Sequence, residues 1–203
     1  MAFSFRSTLR RLRFGEPVVV VSGLPRSGTS MAMKMLEAGG VIVHVDGVRT
    51  ADEDNPKGYF EFERVKDLAE EQDKSWLAAA KGKAIKVISY LLKDLPASLN
   101  YQVIFMRRDL HEVLASQNKM LAHRGEKPET DDAKMTEIFE NHLWRANYLL
   151  KNSPQFETLF LDYKAVVESP RAAAESINAF LGGRLNVDKM VEAVDKDLYR
   201  NRR

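Results

Sequence analysis

The stretch Val18-Val19-Val20-Val21-Ser22-Gly23-Leu24-Pro25-Arg26-Ser27-Gly28-Thr29-Ser30-Met31 reads as a buried strand, a tight glycine-bearing turn and the start of a helix. In that geometry the backbone N–H groups of the turn and of the first helical turn converge on one point. The positive end of the helix dipole adds to them, so an anion fits there and phosphate is its natural guest. The spacing Gly23-x-x-x-x-Gly28 is that of a nucleoside-triphosphate P-loop, but that motif continues with lysine and here Thr29 follows. A cation sits inside the turn instead, at Arg26, where its planar fork can reach the group at the end of a phosphate chain.

A second strand, turn and helix follows in Gln102-Val103-Ile104-Phe105-Met106-Arg107-Arg108-Asp109-Leu110-His111-Glu112-Val113-Leu114-Ala115-Ser116. Arg108 and Ser116 stand about two helical turns apart, so a cation at the strand end and a hydroxyl on the helix can face one anion. Further out, the chain alternates short β-branched runs with longer helical patterns. Candidate strands are Val18–Ser22, Val41–Val45, Ala84–Ile88, Gln102–Met106 and Thr158–Leu161, and candidate helices cover 29–38, 62–80, 109–122, 132–152 and 170–181. That alternation predicts an α/β fold: a three-layer P-loop domain with a central parallel sheet flanked by helices.

With both segments in this order, Gly23-Leu24-Pro25-Arg26-Ser27-Gly28-Thr29-Ser30 resembles the 5′-phosphosulfate loop of sulfotransferases that use 3′-phosphoadenosine 5′-phosphosulfate. The arginine form is closest to protein-tyrosine and bacterial members, since small-molecule enzymes more often carry lysine there. The resemblance implies that Gly23, Pro25, Arg26, Ser27, Gly28, Thr29 and Ser30 hold the 5′ end of the donor, and that Arg108 and Ser116 hold its 3′-phosphate. Phe160-Leu161-Asp162-Tyr163-Lys164-Ala165-Val166-Val167-Glu168-Ser169-Pro170-Arg171 resembles the family's strand ahead of a proline-started helix, which sets Tyr163 against the adenine; a core-edge tyrosine fits equally. Arg200 in the basic C-terminal segment is a further candidate for the 3′-phosphate, or part of an exposed tail.

Sulfuryl transfer needs in-line positioning and stabilised charge on the bridging and equatorial oxygens, and no metal is required. Arg26 fits that role, and Lys86 a second one, because Ala84-Ile85-Lys86-Val87-Ile88 resembles the lysine-bearing strand of many relatives. The histidine that deprotonates the acceptor in small-molecule enzymes is replaced by Ile88. The stretch Val41-Ile42-Val43-His44-Val45-Asp46-Gly47 offers His44 and Asp46 for the missing base, with Asp46 the first candidate, and Glu61, after Asp54-Asn55-Pro56-Lys57-Gly58-Tyr59-Phe60, is its rival. A capping or solvated-turn role is open for both carboxylates. His111, His123 and His142 stand among charged residues and read as solvated. Trp76, Trp144, Tyr59, Phe60, Tyr90 and Tyr148 are candidates for an apolar acceptor pocket, with core packing the alternative.

The 203 residues suit one domain, 16–203, behind a basic lead-in at 1–15. No cysteine is present, which removes thiol catalysis, thiolate metal sites and disulfides, and points to a reducing, cytoplasmic setting. Apolar runs such as Pro17 to Val21 are a strand's length, too short to span a bilayer. The net charge of +2 hides an uneven distribution. Arg6, Arg10, Arg11, Arg13, Arg200, Arg202 and Arg203 lie at the two ends and leave 16–199 at about −5, a poor surface for nucleic acid. The lead-in reads as solvated or loosely docked, with weak contact to anionic lipid or an organelle-targeting remnant as the other readings, and His123 to Asp132 as a mobile loop that can close over substrate. Two rival functions stay open: a nucleotide kinase in which Asp162 holds magnesium, and a non-catalytic nucleotide-binding module. The acceptor, whether small molecule, sugar or peptide, is not named by any motif.

Overall fold

The computed structural model describes residues 5–46, 60–126 and 130–195. At its centre stands β1, Val18–Gly23, every residue of which is buried. It pairs in parallel with β2, Ala84–Lys86, on one side and with β3, Tyr101–Arg107, on the other. β4, Phe156–Asp162, pairs in parallel with β3, giving the order β2-β1-β3-β4. The run of four valines is explained by this position, because a central parallel strand is covered on both faces and needs no polar alternation.

Alternate residues of the strands feed two apolar layers. Val19, Val21, Ile104 and Met106 pack toward α2, Thr29–Ala38, and toward α5, Tyr163–Glu168, α6, Pro170–Phe180, and α7, Val187–Glu192. Val18, Val20, Val103 and Phe105 pack on the opposite side with Ala146 and Leu150 of α4, Asp132–Asn152, and with short 3₁₀ segments. α3, Leu110–His123, joins the sheet's upper edge to α4, with Val113, Leu114 and Phe139 gathered around Leu24 of the glycine turn. The helix after β1 therefore goes to one face and the helices after β3 to the other. The chain ends of β1 and β3 part at that point, and the crevice between them is where open α/β sheets bind ligands.

The three-layer arrangement expected from the alternation is present, with four of the five candidate strands. The Val41–Val45 run forms only an isolated bridge, Val43 to Ala84, with Ile42 and Val45 exposed. Its partner β2 is only three residues long, so the ladder has nothing to extend along. The single helix expected over 62–80 is instead two 3₁₀ segments, Glu63–Asp67 and Ser75–Ala80. Between them Asp73 accepts a hydrogen bond from the Ser75 N–H, a local turn that competes with helix continuation. Val65, Leu68, Leu77 and Ala80 still reach the core, which is the source of the helical period.

The lead-in is ordered where it is described: Phe5–Phe14 forms α1. Arg10 enters the body and donates to the carbonyl oxygens of Tyr101, Pro154, Gln155 and Phe156 and to Asn100 Oδ1. These partners lie at or just before the starts of β3 and β4, so one guanidinium ties two strand ends together. Among the described residues no helix is long and apolar enough to cross a membrane.

Candidate functional site

The glycine turn after β1 is built from residues with unusual backbone geometry. Gly23, Arg26 and Gly28 all have positive φ, at 151°, 67° and 97°. A Cβ on Gly23 would lie 2.4 Å from Ser27 Oγ and 2.6 Å from the Met106 carbonyl oxygen. A Cβ on Gly28 would lie 2.4 Å from the Tyr163 ring. Glycine is therefore required at both places for space as well as for conformation. Ser27 is buried, its Oγ donating to the Leu24 carbonyl oxygen at 2.7 Å, which closes the turn from inside. Gly28 occupies the N-cap place of α2 without a side-chain cap, and Thr29 and Ser30 open the helix. Pro25 sits in the turn between them and the strand.

Arg26 faces the second segment. Its Nε donates to Ser116 Oγ at 3.0 Å, and its carbonyl oxygen accepts from Arg108 Nη1 at 3.0 Å. Arg108 also donates from Nε to Glu112 Oε2 at 2.9 Å, a pair whose side chains are both 7 % exposed. Its guanidinium lies 4.5 Å above the Tyr163 ring centre. Burial pushes the Tyr163 hydroxyl's pKa up, against the smaller opposing pull of Arg108. Arg26, Arg108 and Ser116 are thus brought together, with Tyr163 buried as the floor beneath Gly28 and Arg108. Glu112 is the member that sequence reasoning missed. Its signal was the four-residue spacing from Arg108, at which a charge pair on a helix meets.

Next to this loop, Lys86 ends β2 and is 9 % exposed, and its Nζ stands 3.3 Å from Glu61 Oε1. Glu61 also lies 3.8 Å from Lys66 Nζ. Asp46 sits close by in the chain path, its N–H donating to the Glu61 carbonyl oxygen at 3.5 Å. The Asp46 carboxylate accepts from the Glu63 N–H, the first amide of a 3₁₀ segment, which is the capping role left open for it. Of the other candidates, Asp162 is paired with Arg107 at 3.0 Å across the ends of β3 and β4. Phe60 packs against the core and has a φ of 52°, and Trp144 and Tyr148 are exposed and stacked on each other. Trp76 packs with Phe62.

His142 differs from the solvated reading: it is half-buried, stacked 3.7 Å from the Tyr90 ring, with Nε2 2.8 Å from Ser89 Oγ. Burial, and secondarily Arg145, lower its pKa, which favours the neutral imidazole. Arg200, Tyr59, the segment from Asp54 to Gly58 and part of the His123 to Asp132 loop lie outside the described residues.

A glycine turn with positive-φ backbone, an arginine and a hydroxyl eight residues apart, and no lysine after the second glycine stand together at the carboxyl ends of β1 and β3. A family model described as the sulfotransferase domain matches residues 16–202. The chain belongs to the sulfotransferase domain family. It is an enzyme of sulfuryl transfer. Among solved structures it is similar to a retinol dehydratase in complex with androsterone and the inactive cofactor PAP, at 17 % identity and a TM-score of 0.47, over 96 % of this chain and 68 % of that one. It is also similar to the sulfotransferase domain from the curacin biosynthetic pathway, at 13 % identity and a TM-score of 0.48, over 90 % and 79 %. A sugar kinase from Janibacter sp. matches at 15 % identity and a TM-score of 0.41, over 89 % and 99 %. No curated protein sequence matches it significantly.

Proposed function

We propose that residues 16–203 form one catalytic unit that transfers a sulfuryl group to a hydroxyl or amine, with Arg26 and Lys86 as its cations and Glu61 as its base. The bound donor supplies the sulfuryl group and leaves as adenosine 3′,5′-bisphosphate. The residues present fit that donor: a turn in which two glycines have no room for a Cβ, the start of a ten-residue helix, and a second cation-and-hydroxyl pair one strand away. Gly23, Pro25, Arg26, Ser27, Gly28, Thr29 and Ser30 would hold its 5′ end, and Arg108 and Ser116 its 3′-phosphate. Arg26 offers a forked donor to charge that grows on the bridging oxygen.

The observation that carries the acceptor half is the pair of Lys86 and Glu61, 3.3 Å apart at the end of the strand beside the loop. A carboxylate held there can take the acceptor's proton while the lysine meets the sulfuryl oxygens. Glu61 is preferred over Asp46 because its carboxylate stands 3.3 Å from the Lys86 ammonium. The burial of Tyr163 beneath Gly28 supports a role under the turn over that of an adenine platform. The lack of cysteine supports a cytoplasmic setting, and the acceptor is a small molecule, sugar or peptide.

Calorimetric titration with adenosine 3′,5′-bisphosphate and with ATP-magnesium tests the donor half. The bisphosphate is expected to bind more tightly, and preference for ATP-magnesium would sink it. Radiolabelled sulfate transfer over an acceptor panel tests the rest. Glu61→Gln should lower turnover by about 10² to 10⁴ with bisphosphate affinity kept, and Asp46→Asn should stay within a few-fold of wild type. The reverse ranking would move the base to Asp46.

A further inference from the structure

Helix α1 is docked the wrong way round for an amphipathic helix on its own protein. It holds four arginines and no acid, and the residue turned into the body is Arg10, whose guanidinium meets four carbonyl oxygens and Asn100. At about 100° per residue, Leu12 stands nearly opposite Arg10 and Leu9 about 60° from Leu12. The exposures agree: Leu12 is 80 % and Leu9 49 % exposed. Surface helices ordinarily bury their leucines and turn arginine outward. The contacts of Arg10 fix the opposite setting, so the apolar face is presented to the outside.

Charge says what covers that face. Arg11, Arg13 and the rest of α1 make a cationic pole on a chain whose 16–199 portion carries about −5. A second copy docking through the same face would set one cationic helix, with Arg13 and the Glu16-paired Arg11 beside its leucines, against another. An anionic bilayer offers acidic headgroups around an apolar interior, which matches leucines flanked by arginines. We propose that α1 is a docking surface for an anionic lipid bilayer. Arg10 anchors the helix at the starts of β3 and β4, whereas Arg107 and Asp162 mark their far ends beside the site. A chain docked this way presents its transfer site away from the bilayer, toward acceptors in the water phase.

The test is co-sedimentation of the full chain with vesicles of phosphatidylcholine alone and with about one third phosphatidylserine. Binding is expected only to the anionic vesicles, reversed by salt at about 0.5 M. Leu9→Ser with Leu12→Ser leaves the charge unchanged and should weaken binding by at least about tenfold. The urea midpoint and near-ultraviolet circular dichroism of the variant should match wild type, since both leucines face outward. Arg13→Glu, a second variant, should weaken binding by a similar factor. Failure of wild type to bind, equal binding to neutral vesicles, or full binding by the double serine variant would each overturn the proposal. So would a concentration-dependent dimer that the double variant abolishes, which would assign the face to a second copy.

Discussion

Replacing Gly28 with alanine tests whether the turn is shaped by a ring packed beneath it. Two separate costs follow from its position. The backbone φ of 97° is a left-handed setting that alanine adopts at about 1 kcal/mol. The new methyl would also fall 2.4 Å and 2.9 Å from two carbons of the Tyr163 ring. That ring cannot easily retreat: Tyr163 is 5 % exposed, with the Arg108 guanidinium 4.5 Å from its centre. Overpacking of this kind adds about 1–3 kcal/mol, for a total of about 2–4 kcal/mol. The two costs separate in a double-mutant cycle read by urea unfolding. In a Tyr163→Ala background the clash is gone, and Gly28→Ala should cost only the backbone part, about 1 kcal/mol. Equal losses in both backgrounds would refute the reasoning, because the methyl would then not be meeting the ring.

Arg108→Ala should destabilise by about 3–5 kcal/mol, because it breaks a buried ion pair with Glu112 by removing one partner. Adding Glu112→Gln should recover part of that loss, and urea midpoints of the single and double variants check it. Loss of 3′-phosphate selectivity is best measured in the Glu112→Gln background, where stability is not confounded with binding. Acid should weaken the fold through His44 and His142, whose pKa values are both lowered, chiefly by burial. The unfolded chain then binds protons more readily than the folded one, so the stabilisation is complete above about pH 6.5 and is lost as pH falls through the folded values. Thermal unfolding from neutral to mildly acidic pH should show a falling midpoint, and a His142→Gln variant should show less of the fall.

The central layer was legible because burial on both faces writes itself as an uninterrupted valine run, and the flanking helices because their apolar period survives in 29–38, 132–152 and 170–181. What failed were elements decided by partners far away in sequence. Val41–Val45 has a strand's composition, but its length is set by β2, which offers one bridging residue. The 62–80 period was real burial carried by two 3₁₀ segments, which share the helix's inward face without its continuity. α1 looked unattached because arginine is rarely the docking residue, and only the carbonyl-lined ends of β3 and β4 make it one. At the site, residue types and order were legible and their wiring was not. No spacing rule announces that Arg26 bonds Ser116, ninety positions away.

That wiring bears on how the two phosphate-binding segments work. Arg26 is one of two described non-glycine residues with positive φ, a setting that costs about 1–3 kcal/mol. The same residue reaches Ser116 with its side chain and Arg108 with its carbonyl oxygen, so it joins the turn after β1 to both members of the second segment. A glycine at this position would take the conformation freely but bring no cation, and a lysine would bring a point charge without a second, fixed donor. The strained arginine therefore couples what the sequence presents as two independent motifs. Truncating Arg26 or Ser116 removes the side-chain bond between them, and truncating Arg108 removes the bond to the Arg26 carbonyl oxygen, so the effects of Arg26 and Ser116 on donor binding should be strongly non-additive. The two halves of the proposed donor grip then act as one preorganised unit, held together before any ligand arrives.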